Sequence, residues 1–162
     1  MNTVESRLAD LEERLQVLED EREIHRLIIS YGFAADTGDA ERVAQRFAEE
    51  GVYDVGTQAV MNGRQGLRDM IVGEGHQSLL PNSAHTFGPS VIKVDGKDAV
   101  VTGYTLTYHR REEDFKLWRL SYTRVELEKR DGRWQILKRL NRLVGTDEAW
   151  PLFQQGLAEL EG

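Results

Sequence analysis

Apolar residues in the first part of the chain recur every three or four positions, which is the period of an amphipathic helix. The first stripe is a short heptad seam formed by Val4, Leu8, Leu11, Leu15 and Leu18. The second stripe continues the helix towards Gly38 and comprises Ile24, Leu27, Ile28, Tyr31 and Ala35. Two heptads are fewer than the roughly three or four that indicate a coiled coil. We therefore expect the seam to pack on another subunit or on the body of the domain.

From about residue 84 the pattern alternates between apolar and polar residues, which is the period of a strand. It predicts four long strands, at about 84–94, 98–109, 116–129 and 133–144. The sequence "KRDGRW" predicts a tight hairpin between the last two strands, because Asp-Gly accepts positive φ.

The segment between the first helix and these strands predicts shorter elements. They are a second helix at about 40–49, short strands over "VYDVG" and "AVMNG", a third helix over "RQGLRDMIVGEG" and a loop at 73–84. Helices followed by an antiparallel meander are the order of an α+β fold. We expect a strongly curved, mostly antiparallel sheet with the N-terminal helices on one face and a pocket between them. The chain divides into an N-terminal helical extension at 1–22, a main domain at 23–146 and a C-terminal helix at 147–162.

Composition and charge exclude several functional classes. The 162 residues include no cysteine, which excludes disulfides, thiolate nucleophiles and cysteine-based metal sites. The net charge is −7, and residues 1–23 carry −5 of it as eight acidic side chains and three arginines. The remaining −2 gives no basic footprint, so we expect no nucleic-acid partner. The four histidines lack metal-ligand spacing and no glycine-rich phosphate loop occurs, so we expect neither metal nor cofactor.

The sequence also predicts where the protein resides. No apolar run is long enough for a membrane span, and the first residues lack the apolar core of a signal peptide. We therefore expect a cytoplasmic protein that does not interact with membranes.

The stretch "YGFAADTGD" at residues 31–39 contains the first candidate for chemistry. Asp39 precedes a predicted helix and is a typical N-cap. Asp36 instead falls in the last turn of the preceding helix, where the helix dipole disfavours an anion by about a few tenths of a kcal/mol. A carboxylate in that position is explained if it orients a histidine, since it would fix the imidazole tautomer and raise its basicity.

His85 is the histidine that Asp36 is expected to orient. A tight turn over "DGKD" places His85 opposite Tyr108, and a bulge near Pro89 would place it opposite His109. The alternative is that His85 and His109 are strand-end histidines at the surface. His76 could line the mouth of a pocket, but we expect it to be a solvated loop residue. We expect His25 to be a packed or solvated helix residue.

Several other side chains are candidates for the pocket. A two-residue Asp-Gly turn places Arg142 opposite Ser121. The alternative is that the Arg142 side chain points outward from the strand into solvent. Tyr31 shares the apolar stripe of the first helix, so its ring is expected in the core with its hydroxyl bonded. We expect the substrate to contact Tyr53, Phe87, Tyr104 and Trp118.

The combination of "IHRLIISYGFAADTGDAERVAQRFAEEGVYDVG", "NGRQGLRDM", "SAHTFGPSVIKVDGKDAVVTGY" and "DGRWQILKRLNRLVG" resembles a known family. It is similar to the SnoaL-like branch of the nuclear transport factor 2 superfamily. Within that branch the resemblance is to scytalone dehydratase, bile-acid dehydratase and lindane dehydrochlorinase. It covers about residues 5–145 and implies a cone-shaped α+β barrel with the helices on the concave face of the sheet.

The resemblance also implies roles for individual residues. Asp36 and His85 match the acid–base pair of the eliminating enzymes, Tyr31 matches a substrate-binding tyrosine and Arg142 matches a last-strand arginine. His109 falls where one relative has a second histidine and another an aspartate. The resemblance further implies a homo-oligomer, with a trimer slightly favoured over a dimer.

The leading hypothesis is a cofactor-independent lyase that acts on a small, largely apolar hydroxy or carbonyl compound by dehydratase-type elimination. His85 would remove a proton next to the carbonyl group, Tyr31 or Tyr53 would stabilise the enolate, and His109 or Arg142 would assist the leaving group. Isomerisation, cyclisation or epoxide opening in the same pocket needs no such assistance. A binding or assembly module is the third alternative, because one fold hosts many functions. Such a module would not need Asp36 and His85 within hydrogen-bonding reach.

Overall fold

A computed structural model describes residues 3–161. The outermost residues of the expected N-terminal extension and C-terminal helix, 1–2 and 162, lie outside the described residues. The helices are α1 (Val4–Asp36), α2 (Ala40–Gln45), α3 (Gly63–Val72), α4 (Glu74–Gln77) and α5 (Ala149–Glu161), with a 3-10 turn at Gly56–Gln58. The strands are β1 (Phe47–Asp54), β2 (Val60–Asn62), β3 (Ser83–Asp95), β4 (Asp98–Arg111), β5 (Asp114–Arg130) and β6 (Arg133–Leu143).

The six strands form one mixed sheet in the order β2-β1-β6-β5-β4-β3. Only the β1–β6 pair is parallel, and the other described pairs are antiparallel. Helices α1 and α3 pack on the inner face, where their apolar stripes join the inward side chains of the strands in one core. The expected α+β fold, a curved and mostly antiparallel sheet with N-terminal helices on its concave face, is therefore confirmed.

The second helix is shorter than its sequence pattern predicts. It ends at Gln45 rather than near residue 49, and Phe47 begins strand β1. Phe47 is fully buried and pairs with Ile136 of β6. Pairing and burial in the sheet thus outweigh the local helical pattern, which is a weak preference by comparison.

A bulge in β3 changes the residue opposite His85. The register between β3 and β4 is as expected from Asp95 to Ser90. One additional residue of β3 at Gly88–Pro89 then shifts the pairing of Phe87 and the residues before it by one position. His85 consequently lies opposite Thr107, and the expectation of Tyr108 or His109 was wrong. Proline has no N–H to donate to the neighbouring strand, which explains why the bulge lies at Gly88–Pro89. It does not explain why the pairing shifts to Thr107 and not to His109.

A second bulge, in β6 at Leu137, affects the candidate arginine. Arg142 lies opposite Tyr122 rather than Ser121. Because side chains alternate between the two faces of a strand, one extra residue exchanges the inward and outward sets. Arg139 and Asn141 therefore point inward and are buried, whereas Arg142 points outward.

Helix α1 is continuous through residues 22 and 23, where the main domain was expected to begin. Its contact with the body starts at Asp20, whose carboxylate accepts hydrogen bonds from Trp134 Nε1 at 2.8 Å and Lys129 Nζ at 2.6 Å. Asp20 is nearly fully buried, as is Ile24 one turn later. This ion pair with its tryptophan donor fixes the point at which α1 joins the sheet.

Among residues 3–161, no helix combines the length and the apolar character needed to cross a membrane.

We expect Asp20→Asn to reduce the free energy of unfolding by about 1–3 kcal/mol at neutral pH, because the amide replaces a charged acceptor of three donors, Gln16, Lys129 and Trp134. For a chain of this size, each kcal/mol lowers the melting temperature by about 2–4 °C. Asp10→Asn is the matched control, because Asp10 is exposed on the same helix. Thermal melts of both variants test the prediction, and equal melting temperatures would contradict it.

The difference between Asp20→Asn and the wild type should also depend on pH. Burial raises the pKa of Asp20, but hydrogen bonds from Lys129, Trp134 and Gln16 outweigh it and leave the pKa below the usual 3.8. A carboxylate with a lowered pKa stabilises the fold above the unfolded-state value, and this stabilisation is lost as the pH falls through the folded-state value. The two melting temperatures should therefore converge at pH values below 3.8.

Candidate active site

A cavity of about 340 Å³ lies between the inner face of the sheet and helices α3 and α4. That volume is at the small end of the range for ligand pockets. Its wall is largely apolar, with contributions from Val55, Ala59, Met61, Met70, Leu79 and Leu106. Its polar groups include two histidines, two arginines and an asparagine, namely His76, His85, Arg119, Arg139 and Asn141. A mostly apolar cavity with a few convergent polar groups is typical of a small-molecule site.

Asp36 and His85 form a tightly bonded pair at this cavity. The Asp36 Oδ1 atom lies 2.6 Å from His85 Nδ1, and Asp36 Oδ2 accepts from the His85 backbone N–H at 2.8 Å. The Ser83 hydroxyl donates to Oδ1 at 3.0 Å. The expectation that Asp36 and His85 lie within hydrogen-bonding reach is confirmed. Asp36 itself stands behind His85, and only His85 of the pair lines the cavity.

The charge of Asp36 determines which nitrogen of His85 carries the proton. Partial burial raises the pKa of Asp36, but the hydrogen bonds from the side chain and backbone of His85 and from Ser83 outweigh it and lower the pKa. Asp36 is therefore an ionised acceptor at neutral pH, and Nδ1 must be the donor. The other ring nitrogen of His85, Nε2, has no protein hydrogen-bond partner within residues 3–161 and carries the lone pair when the imidazole is neutral.

Gly32 allows helix α1 to approach β3 closely enough for this pair to form. A Cβ atom at residue 32 would lie 2.3 Å from the carbonyl oxygen of His85. Gly32 is one helical turn before Asp36, so both residues face β3. The absence of a side chain at residue 32 and the carboxylate at residue 36 together dock the end of α1 on the backbone of His85.

His76 is a second cavity histidine, and its position differs from the expected solvated loop. Its ring is stacked on that of His85, with 5.7 Å between the ring centres and 25° between the planes. Its Nε2 lies 2.8 Å from the Ala35 carbonyl oxygen, so Nε2 carries a proton and donates it. Burial, together with the nearby His85, lowers the pKa of His76 below 6.5. His76 is thus neutral at pH 7, with Nδ1 as its hydrogen-bond acceptor.

Arg139 is a buried cation in the cavity wall. Its guanidinium carbon lies 4.3 Å from the ring centre of Tyr31 and 4.8 Å from that of Tyr53, which are cation–π distances. Its one side-chain hydrogen bond within residues 3–161 is a long one, from Nε to Asn141 Oδ1 at 3.4 Å. No carboxylate of the described residues forms an ion pair with it. The remaining guanidinium donors are therefore available to a ligand.

Uncharged polar residues link Arg139 to the strands beside it. Asn141 Nδ2 donates to Tyr53 Oη at 2.9 Å, and the Thr123 hydroxyl donates to Asn141 Oδ1 at 2.8 Å. The hydroxyls of Thr105 and Thr123 are 2.7 Å apart. Tyr53 Oη accepts from Asn141, so its own proton is not used in that bond.

The structure places two of the four expected substrate-contacting residues at the cavity. Tyr53 and Trp118 line it. Phe87 packs against the main core. Tyr104 lies on the opposite face of the sheet, where it packs against Tyr122 and Phe153 of α5. Phe87 and Tyr104 are thus not cavity residues in this structure.

Three residues expected beside the dyad also lie outside the cavity wall. Tyr31 is buried behind Arg139, and burial raises the pKa of Tyr31, so its phenol stays protonated. Arg142 forms a bidentate pair with Asp54 at 2.9 Å on the outer side of the sheet, because the β6 bulge turns it outward. His109 lies opposite Ser83, and its Nδ1 is 3.5 Å from Arg111 Nε. Arg142 therefore does not line the cavity that His85 lines.

The structure adds two residues that the sequence pattern did not identify, Arg139 and His76. Arg139 lies on the same face of β6 as Trp134 and Ile136 only because of the bulge at Leu137. The sequence has no Gly or Pro near Leu137 that would indicate this bulge. His76 lies in the short helix α4 within the segment expected to be a loop. Within residues 3–161, no three acidic or histidine side chains are grouped so as to hold a metal ion.

The architecture and the cavity define a nuclear transport factor 2-like protein with a cystatin-like fold. A protein of that description from Novosphingobium aromaticivorans is 31% identical, with a TM-score of 0.85 over 94% of this chain and 97% of that chain. The sequence matches the SnoaL-like domain model over residues 16–140, and the chain therefore belongs to the SnoaL-like family.

More distant structures share the fold alone. A candidate scytalone dehydratase from Novosphingobium aromaticivorans is 23% identical, with a TM-score of 0.65 over 78% of this chain and 85% of that chain. A protein of unknown function from Mycobacterium tuberculosis is 22% identical, with a TM-score of 0.70 over 91% of this chain and 89% of that chain. No curated protein sequence matches this chain. The family and fold implied by the sequence are thus confirmed, whereas the activity is not determined by these similarities.

We expect Gly32→Ala to destabilise the fold by about 1–3 kcal/mol, because the added methyl group overlaps the His85 carbonyl oxygen. In a helix with no close neighbour at that position, replacing Gly with Ala stabilises the helix by about 0.5–1 kcal/mol. Gly66→Ala in α3 is the matched control, since a Cβ there meets only ordinary contacts of 3.4 Å or more. Chemical denaturation of both variants tests the prediction, and a Gly32→Ala protein as stable as the wild type would contradict it.

Proposed function

We propose that this protein is a cofactor-independent lyase that eliminates water or a similar leaving group from a small, largely apolar hydroxy or carbonyl compound. The observation that carries the proposal is the 2.6 Å contact between Asp36 and His85 at the wall of an apolar cavity. A carboxylate that fixes one imidazole nitrogen leaves the other as a general base directed at a ligand. The distant similarity to a candidate scytalone dehydratase agrees with this reaction class.

The first chemical step is removal of a proton by His85. The ionised Asp36 holds Nδ1–H, so Nε2 accepts a proton from the carbon next to the substrate carbonyl group. Asp36 stabilises the resulting imidazolium without taking its proton. A positioned general base of this kind contributes about 10²–10⁴ to the rate. Asp36 is accordingly a positioning residue, and His85 is the residue that reacts.

The enolate formed in this step requires groups that stabilise negative charge. Arg139 offers guanidinium donors without a carboxylate partner, and Tyr53 offers a phenol proton. Donors that are already oriented in a cavity stabilise a developing oxyanion more effectively than water does. Tyr53 thus takes the enolate-stabilising role expected for Tyr31 or Tyr53, and Arg139 adds a cationic donor that the sequence pattern did not identify.

The second step expels the leaving group from the neighbouring carbon. The enolate electrons form the carbon–carbon double bond, the carbon–oxygen bond breaks, and the imidazolium of His85 returns its proton to the departing hydroxide. The products are an unsaturated carbonyl compound and water, and His85 is again neutral. No redox cofactor is needed to balance these steps.

Two alternatives share parts of this site. An isomerase or cyclase would use the same proton transfer but would release no leaving group. A non-catalytic small-molecule-binding or assembly module would need the cavity but not the dyad. The bonded Asp36–His85 pair supports a reactive site over simple binding, and product analysis separates elimination from isomerisation.

The proposal is tested by incubating the protein with a panel of cyclic and aromatic β-hydroxy ketones in D₂O. Proton NMR would detect deuterium exchange next to the carbonyl group as the signature of proton removal, and new vinyl signals as the signature of elimination. We expect both with a true substrate. Binding without either signal would overturn the lyase, and exchange or double-bond migration without loss of water would identify an isomerase.

We expect His85→Asn and Asp36→Asn each to lower turnover by about 10²–10⁴, because the first removes the base and the second removes the anion that sets its tautomer. For Asp36→Asn, relief of an unfavourable helix-end charge of about a few tenths of a kcal/mol opposes the loss of a charge-assisted bond worth about 1–3 kcal/mol. Its melting temperature should therefore fall by about 2–4 °C for each kcal/mol of net loss, whereas its turnover should fall by orders of magnitude.

The matched control for these variants is His25→Asn, which changes an exposed histidine of α1 away from the cavity. It should retain wild-type turnover and stability. A large loss of stability in Asp36→Asn with turnover intact would make Asp36 a structural residue, and the dyad mechanism would be wrong.

We expect Arg139→Gln to lower kcat by about 10²–10³, which is the typical effect of removing one oriented donor to a developing oxyanion. Arg142→Gln is a control with the same substitution on the same strand, and it should change kcat less than about threefold because Arg142 lies outside the cavity wall. Steady-state kinetics and melting temperatures of both variants test this. The reverse order of effects on kcat would overturn the role of Arg139 and assign the charge-stabilising role to Arg142.

A further inference from the structure

The first four turns of helix α1 expose an apolar seam to solvent. The seam residues Val4, Leu8, Leu11, Leu15 and Leu18 are each between 55% and 83% exposed. Residues 4–16 of this segment are exposed on all sides. Isolated helices of about 12–15 residues are marginally stable in water. A projecting helix with five exposed apolar side chains in one row therefore requires an explanation beyond the folding of a single chain.

The seam faces away from the body of the protein. Helix α1 is attached through Asp20, which binds Trp134 and Lys129. At about 100° per residue, Asp20 lies about 200° around the helix from Leu18 and about 140° from Leu15. The attachment and the seam thus occupy opposite sides of α1. A second molecule can reach the seam without meeting the domain that carries it.

The charges beside the seam identify the partner that fits it. In heptad notation, Leu8 and Leu15 are a residues and Val4, Leu11 and Leu18 are d residues. The e residues are all acidic, Glu5, Glu12 and Glu19, whereas the first two g residues are basic, Arg7 and Arg14. Within residues 3–161, none of these five side chains forms an ion pair in the single chain. Their charges are therefore available to another helix.

We propose that the seam binds the same seam of a second copy of this chain, as a parallel, in-register coiled coil. In a parallel pair, each g residue meets the e residue five positions later in the partner. Arg7 then faces the partner copy's residue 12 and Arg14 faces its residue 19, both glutamates, so all four contacts are attractive. Arg22 at the next a position also favours two strands, since polar a residues select register and oligomer number.

An antiparallel pair is disfavoured by the same charges. There the g residues of one helix meet the g residues of the other, and the e residues meet the e residues. Arginine would face arginine, and glutamate would face glutamate. The sequence thus specifies orientation as well as partner, although the seam itself is only two heptads long.

The absence of cysteine from the chain permits a direct test by disulfide cross-linking. Val4→Cys places a thiol at the end of the seam, and Ser6→Cys places one on the outer side of the same helix end. Disulfide formation requires Cα atoms within about 7 Å. In the parallel pair, Val4→Cys should form a covalent dimer of twice 18.5 kDa at least about tenfold faster than Ser6→Cys. Equal rates, or no cross-linked species, would overturn the proposal.

A charge exchange tests the orientation independently. Arg14→Glu should weaken self-association by about threefold to tenfold at low salt, because each g–e pair contributes a fraction of a kcal/mol and becomes repulsive. Adding Glu19→Arg in the same chain should restore it. In an antiparallel pair Arg14→Glu would instead relieve repulsion between arginines. Stronger association of this variant in sedimentation equilibrium would therefore overturn the parallel arrangement.

The apolar contribution is tested with Leu11→Glu against Ala9→Glu, which adds the same charge to the same helix outside the seam. Leu11→Glu should raise the dimer dissociation constant at least about tenfold, whereas Ala9→Glu should leave it nearly unchanged. The wild-type mass measured by light scattering at tens of micromolar should be that of two chains. A monomer, a trimer, or association insensitive to Leu11→Glu would overturn the two-stranded seam. Turnover is not part of this test, so the result is independent of the proposed lyase.

Discussion

The carboxylate of Asp36 holds together the two elements from which the candidate site is made. It accepts from the Nδ1 and backbone N–H of His85 and from the Ser83 hydroxyl, and so joins the last residue of α1 to the first strand of the meander. A half-buried carboxylate is costly unless donors satisfy it. The donors here also orient the imidazole, so the interaction that makes the anion tolerable also prepares the base.

The end of helix α1 is arranged to tolerate this negative charge. No basic residue lies in the last turn. Instead, the Thr37 hydroxyl donates to the Phe33 carbonyl at 2.9 Å, and His76 Nε2 donates to the Ala35 carbonyl at 2.8 Å. These side-chain donors add to the backbone N–H groups of Thr37 and Gly38, which bond the same two carbonyls at 3.1 Å. The dipole that disfavours Asp36 is thus partly compensated by neighbouring residues.

The sequence was sufficient for the fold class and the four long strands, because their apolar patterns are clear. The Asp36–His85 contact could be predicted from the unfavourable place of Asp36 at a helix end and from the resemblance to the SnoaL-like family. It was not sufficient for the arginine of the site. One extra residue at Leu137 exchanges the faces of β6, which directs Arg139 inward and Arg142 to Asp54. No turn residue marks that bulge, and a one-residue slip reverses every later side chain. The position of Phe47 was missed for a related reason, since its strand is determined by pairing with β6.

The lowered pKa of His76 limits the positive charge that the two stacked histidines can carry. Two stacked imidazoles could both become cationic beside one carboxylate, but burial and the nearby His85 lower the pKa of His76. Its bond to the Ala35 carbonyl fixes Nε2 as the donor in the neutral ring. The negative charge of Asp36 therefore stabilises only one imidazolium, that of His85. A neutral His76 beside the His85 ring that Asp36 orients leaves the cavity one proton carrier with a fixed direction, which is the arrangement that proton transfer to and from a carbon acid requires.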